Sequence, residues 1–254
     1  MARPGRAFPA HPLAWSRQLL TGRTRFYFPS SGAAAVSPAF DSGWEDTTIT
    51  TRLRAVTAKS STAMTTVSFS DISVADNDVL FRQWVGDPLT AQTIIGQTLR
   101  VQFRVSETLD TNNMFLAWGL RVVSNDGATV RGTLVPVHRT AIEADTALTN
   151  RGETYTIAPL VVLDGDRLVF EIGLGGAPVA VHDSSLRIGD VDAVDLPEDN
   201  TTTADNNPWI EFQQFLSQLV SVSADYTQTA EWLASQTLDD LMPAELLALT
   251  NNDQ

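Results

Sequence analysis

Cysteine is absent, which removes disulfides, cysteine-ligated zinc, iron–sulfur clusters and a cysteine nucleophile together. Lysine is almost absent: Lys59 stands alone, so sixteen of the 17 basic residues are arginines. No apolar run approaches the roughly 18 residues that cross a bilayer as a helix. Stability therefore has to come from core burial and from assembly, and a chain of 254 residues is long enough to bury a sizeable core. The opening stretch, MARPGRAFPAHPLAWSRQLL, is basic but has neither a continuous apolar segment nor a small-residue cleavage site, so it is a poor secretory signal. Its arginines, Arg3, Arg6 and Arg17, with Arg23 and Arg25 and no acid among them, resemble a transit peptide only loosely.

Charge is segregated. From Ile188 to the last residue there are thirteen acids and neither lysine nor arginine, which equals the whole net charge of −13, so the remainder is balanced. A solvated acidic face is one reading of this segment. Docking between subunits is the other, because complementary fields guide encounter and register. Nucleic acid is not an expected partner, since the basic residues are dispersed and the total is strongly negative.

Residues 1–23 read as an extended arm, with Pro4, Pro9 and Pro12 blocking regular helix. From residue 24 short runs rich in valine, isoleucine, threonine and aromatics follow one another, separated by Gly, Asp, Asn, Ser and Pro. That spacing predicts an all-β antiparallel sandwich over 24–212. In "TLRVQFRVS", Leu99, Val101, Phe103 and Val105 fall on one face, opposite Arg100, Gln102 and Arg104, the pattern of a half-buried strand. Asp126-Gly127 predicts a hairpin. Asp164-Gly165 in "VLDGDRLVFEIG" predicts a turn rather than a carboxylate cluster, because Asp tolerates turn backbone and Gly supplies positive φ. Glu171 is then expected to face solvent or an arginine across the strand. "GLGGA", Gly173 to Ala177, reads as a loop.

Residues 213–254 predict an acidic helical appendage. Phe212, Phe215, Leu216, Leu219 and Val220 follow helical spacing. Asp225 with Gln228, and Thr237 with Asp240, look like N-terminal capping pairs. Pro243 can open a last short helix carrying Leu246, Leu247 and Leu249. Isolated helices of this length are marginal in water and need a surface to cover.

Chemical motifs are scarce. His11, His138 and His182 lie in unlike contexts, and no nucleophile elbow, zinc-binding helix, phosphate loop or dinucleotide fingerprint is present. No catalytic residue and no cofactor is expected. The candidate metal set is Asp190, Asp192 and Asp195, with Glu198 and Asp199 near. Oxygen ligands at alternating spacing suit calcium, but the central glycine and terminal glutamate of an EF-hand loop are missing, so an ordinary acidic loop competes with it. Trp84 and Trp118 sit in apolar strands and read as core, whereas an exposed tryptophan elsewhere would offer a sugar-stacking platform.

The segments "FRQWVGDPLTAQTIIGQTLRVQFRVSETLDTNN", "GLRVVSNDGATVRGTL", "GDRLVFEIG" and "NPWIEF" resemble jelly-roll virion proteins of tailed bacteriophages and related prophages. The likeness covers roughly residues 25–212 and consists of framework phrases. It implies a jelly-roll sandwich and a place in the virion, assembled in the host cytoplasm. A non-enzymatic capsid decoration or minor capsid protein is the expectation. Its partners would be major capsid or tail proteins and further copies of itself, a trimer by preference, with no membrane involved. A tail- or collar-associated carbohydrate- or receptor-binding module is the alternative. Arg3, Arg6 and Arg17 in the arm, and Leu246 and Leu247 in the appendage, are the expected interface residues.

Overall fold

A computed structural model describes residues 22–47, 49–70, 75–176 and 183–219. The arm's Arg3, Arg6 and Arg17 and the appendage's Leu246 and Leu247 lie outside these residues, as do the helices predicted beyond 219.

The described chain is all-β. Its strands are β1 (Thr24–Tyr27), β2 (Asp46–Thr47), β3 (Leu53–Arg54), β4 (Thr65–Phe69), β5 (Asn77–Val85), β6 (Gln92–Ile94), β7 (Gln97–Glu107), β8 (Met114–Val123), β9 (Val130–Glu143), β10 (Thr149–Ile157), β11 (Leu160–Val162), β12 (Arg167–Gly176), β13 (Ser184–Ile188) and β14 (Trp209–Phe212). One sheet contains β4, β13, β7 and β10, the other β5, β12, β8 and β9. The hydrogen-bonded pairs β4/β13, β5/β12, β7/β10 and β8/β9 are nested in sequence, one inside the next. A long antiparallel ribbon rolled up on itself gives this order, and that is the jelly roll. Strand β14 shares the far edge of β7 with β13 and carries β1 beyond it. The two short strands β2 and β3 pair in parallel with β5.

Alternation builds the core. Leu99, Val101, Phe103 and Val105 of β7 and Leu168, Phe170, Ile172 and Leu174 of β12 are fully buried between the sheets. Phe28 joins the layers: its ring lies 5.0 Å from Trp84 and 5.0 Å from Phe103, and 5.5 Å from Phe170. Such tilted and edge-on contacts add to the area the rings bury. Trp84 and Trp118 are core, as their strand setting predicts. Trp44 and Trp209 are also buried, so none of the four described tryptophans forms an exposed platform.

Both outer faces are partly covered, which alternation alone did not predict. On the β5–β12–β8 sheet, Trp44 and Ile49 pack with Leu80 and Ala117, and Ala34 and Val36 pack on Val85, Val123 and Val169. Glu171 therefore points away from the core and is still 1% exposed. Its carboxylate accepts from Arg121 Nη2 at 2.7 Å, Gln83 Nε2 at 2.8 Å and Trp44 Nε1 at 3.1 Å, so the expected arginine partner is there, but under a lid.

Asp126-Gly127 closes the β8–β9 hairpin, with Gly127 at φ 77°. Asp164-Gly165 is a turn, with Gly165 at φ 88°, but the strands on either side belong to different sheets, so it is a corner and not a hairpin. The supposed "GLGGA" loop is corrected: Gly173 to Gly176 continue β12 between β5 and β8. Glycine is required there for close approach. A Cβ on Gly175 would lie 1.9 Å from Asp78 Oδ1 and 2.1 Å from Arg139 Nε, a salt bridge that crosses the bare backbone.

The helix expected after Phe212 does not start within the described residues. Phe212 ends β14, and residues 213–219 run on without helix. Side-chain amides take the backbone bonds a helix would have made: Gln213 N donates to Gln97 Oε1 and Ser217 N to Gln92 Oε1, while Leu216 N donates to Thr24 Oγ1. Phe212 and Leu216 are buried while Phe215 and Leu219 stay exposed.

Candidate functional site

Residues 189–207 form an acidic strap across the outer face of β1, β14, β7 and β10. Arginines of β1, β7 and β13 meet carboxylates of the strap, whereas Arg151 of β10 binds backbone carbonyls. Arg100 of β7 pairs with Glu198, Arg104 of β7 with Asp205 at 2.7 Å, and Arg187 of β13 with Asp205 at 2.5 Å. Arg104 is only 8% exposed as a result. The half-buried strand of the sequence is thus covered on both faces.

The candidate calcium set is not brought together. Asp190 is fully buried and accepts from Ser60 N, Ser60 Oγ, Thr62 N and Thr62 Oγ1 at 2.5–2.8 Å. Burial alone would raise its pKa, but these four donors hold the carboxyl below its ordinary range. Asp192 Oδ1 accepts from Val194 N at 2.8 Å, closing a local turn. Asp195 takes part in the densest network. Its oxygens accept from Arg25 Nη1 at 2.9 Å, Tyr27 Oη at 2.8 Å, Lys59 Nζ at 2.8 Å and Asn207 Nδ2 at 3.1 Å. Burial works against ionisation, yet the bonds from Lys59, Asn207, Tyr27 and Arg25 keep Asp195 below the usual carboxylate range. The Tyr27 phenol, buried and bonded to that carboxylate, is pushed up to about 12. Arg25 also donates to Glu211 Oε2 through Nη2 at 2.8 Å and stacks on the Trp209 ring at 3.9 Å. Asp199 accepts from the amides of Thr201 and Thr202. Among the described residues no group of three or more His, Asp or Glu is arranged to hold a metal ion.

All seven acids between Ile188 and Leu219 therefore have partners inside the chain. Asp195, Glu198, Asp205 and Glu211 meet Arg23, Arg25, Lys59, Arg100, Arg104 and Arg187. Asp190, Asp192 and Asp199 cap backbone amides. The other six acids of the segment lie beyond the described residues.

His138 Nε2 lies 3.1 Å from Glu153 Oε1, which also accepts from Trp118 Nε1 at 3.0 Å. Sequence reasoning missed this contact, because the three residues come from β9, β10 and β8. Clefts open on the surface of the described residues. One of about 460 Å³ lies on the β7–β10 face beside the strap. Another, of about 550 Å³, lies by the turns at Asp126 and Asp164.

The sequence matches no protein-family model and no curated protein. Solved structures give distant likenesses. A CocE/NonD family hydrolase from Staphylococcus aureus is 11% identical, at a TM-score of 0.38, over 75% of this chain and 36% of that one. The infectious bursal disease virus Gt strain structure is 9% identical, at a TM-score of 0.26, over 79% of this chain and 55% of that one. The VP2 subviral particle of the same virus is 10% identical, at a TM-score of 0.17, over 79% and 54%. The chain thus spans between about a third and a little over half of the length of these structures. At these scores they carry no functional argument, and the jelly-roll assignment rests on the sheet order.

Proposed function

We propose that the chain is a non-enzymatic structural protein of a tailed-phage virion, a capsid decoration or minor capsid protein set among major capsid or tail proteins. The observation that carries this reading is how the framework phrases meet. "FRQWVGDPL" and "GDRLVFEIG" clamp one another: Gly86 N donates to Leu168 O, Leu89 N to Asp166 O and Gly165 N to Leu89 O, each at 2.8 Å. "NPWIEF" supplies β14, which fills the gap between β1 and β7. Phrases that resemble virion jelly rolls thus occupy the joints of a jelly roll. The described outer faces carry internal straps. A homo-oligomer, a trimer by preference, is part of the proposal. Exposed Val130, Val161 and Leu163, at the end where Leu160 packs on Gly132, offer apolar contact surface for it.

A density map of purified particles tests the reading, with mass spectrometry of the same particles. The expected result is the jelly roll at fixed, symmetry-related positions on the head. Absence of the chain from virions would overturn it. The arm and the appendage enter the same test: removing residues 1–21 should leave the sandwich folded and reduce incorporation into particles.

A further inference from the structure

The cleft beside the strap holds polar groups that the fold leaves unpaired. Gln102 of β7 is 6% exposed, and its Oε1 is buried without a hydrogen-bond partner. Buried groups of this kind are uncommon in a folded protein and call for a reason. Arg100, two residues earlier on the same face, has the same feature: Nη1 is bound to Glu198, and Nε is buried without a partner. Both residues line the cleft.

The surroundings hold these groups in place. Gly152 lies opposite Gln102 on β10, and a Cβ there would fall 2.4 Å from Gln102 Oε1 and 2.2 Å from Val101 O. Glycine therefore makes the space in which the carboxamide lies. The Gly152 amide donates to Asn200 Oδ1 at 2.9 Å, fixing the strap as the opposite wall. Thr154, paired with Arg100 across the strands, sits on the same outer face and is exposed. Ile142, 44% exposed, adds an apolar wall.

The chemistry of this lining selects a ligand class. Glu198 neutralises Arg100, so no free cation remains to hold a phosphate or carboxylate. Glu153 is taken by His138 and Trp118, and the remaining groups are amide, hydroxyl and guanidinium N–H, which offer donors and acceptors side by side. Vicinal hydroxyls both donate and accept, and planar amides and guanidinium groups match such pairs. A volume of about 460 Å³ is within the range of small-molecule sites and accommodates a short saccharide. We propose that the cleft binds a neutral saccharide, with the Gln102 carboxamide turning outward to accept from a ring hydroxyl, the Thr154 hydroxyl and the Asn200 amide beside it, and Ile142 against the C–H face of the ring. The proposal does not depend on where in a virion the chain resides.

The test uses the full chain on an array of neutral and acidic oligosaccharides, followed by titration with the strongest neutral binder. Gln102→Leu keeps the bulk and removes the polar atom, so its binding should fall about tenfold or more, because a site built around a hydrogen bond discriminates strongly. Its melting temperature should not fall, since an unsatisfied buried group is removed. Thr154→Arg, changed at an exposed position, should block the cleft and abolish binding with the fold intact, which keeps the test decisive if Gln102→Leu misfolds. Absence of binding to any neutral glycan, a preference for acidic ones, or undiminished binding by the folded variants would overturn the proposal.

Discussion

Asp190→Asn is the substitution that most directly separates a strap carboxylate that acts as a structural clamp from one that holds calcium. Asp190 is fully buried and accepts four bonds, two from backbone amides and two from hydroxyls, all from Ser60 and Thr62. An amide in its place keeps one acceptor oxygen and turns an NH2 group toward two donors. Oδ1 now serves Thr62, and Oδ2 serves Ser60. One part-buried backbone N–H and one hydroxyl therefore lose their acceptor, at about 1–3 kcal/mol for each unsatisfied group. The hydroxyl can turn to another partner and the amide cannot, so the net expectation is about 2–4 kcal/mol. For a chain of this size that is a fall of roughly 4–16 °C in melting temperature. Asp190→Ala should cost at least as much, because both amides are orphaned.

The pH dependence gives a second readout of the same residue. The folded carboxyl is held below its ordinary value of 3.8. A depressed folded pKa contributes stability that is fully present above the unfolded value and is lost as pH falls through the folded one. The gap between the native chain and Asp190→Asn should be constant from neutrality down to about pH 5, then close below about pH 4. Calorimetry across that range, with calcium in excess and with chelator, measures both effects. Equal melting temperatures for the two chains at neutral pH would refute the clamp. A melting temperature that falls on chelation, and falls no further in Asp190→Asn, would show that calcium sits there instead.

Glu171→Gln should cost about 1.5–3 kcal/mol, because the Arg121 guanidinium loses its buried charged acceptor and keeps only Asp41 as counter-charge; denaturant unfolding followed by tryptophan fluorescence checks it, and a loss below 1 kcal/mol would argue that the lid over this carboxylate is open in solution. Tyr27 should titrate near 12 in an ultraviolet absorbance titration, and Asp195→Asn should bring it down towards the ordinary tyrosine value. Gly175→Ala should break the Asp78–Arg139 salt bridge and destabilise the chain by about 2–4 kcal/mol. A melting curve unchanged from the native one would mean that β5 and β9 can move apart at that point without cost.

The sandwich was legible because its signal is local. Alternation in β7 and β12 and the Asp-Gly turns are each contained within a dozen residues and need no partner to be read. Covered outer faces were not legible. Arg100, Gln102 and Arg104 have the pattern of a solvated face, and what buries them is a segment about a hundred residues away. Gly173 to Gly176 were misread for the same reason: glycine in a strand makes sense only once Val79, Trp44 and the Asp78–Arg139 pair are known to pass over it. β13 escaped notice because "SSLRI" is short and half polar, and its role as partner to both β4 and β7 is a matter of topology. The cleft could be found only in three dimensions, although Gly152 within an otherwise polar, threonine-rich strand was a sign of close approach.

The charge segregation and the scarcity of lysine have one explanation in this geometry. A strap that crosses several strands can be held at each only if the strand's side chain reaches outward, satisfies more than one acceptor and stays ordered while half-buried. A guanidinium does this: Arg25 donates to Asp195 and Glu211 at once while its face lies on Trp209. Arg187 forks onto both oxygens of Asp205, and Arg151 binds the carbonyls of Glu143, Asn150 and Asn200 together. An ammonium is a compact, strongly hydrated point charge and cannot replace such a planar fork. Lys59 stands where a single reach suffices, to Asp195 and two strap carbonyls. With the basic residues fixed in the strands as arginine, the strap needs none of its own. A lysine or arginine placed in residues 189–207 would compete with those arginines for Asp195, Glu198, Asp205 and Glu211. The acidic block is thus the complement of the strand arginines, written in a different part of the chain.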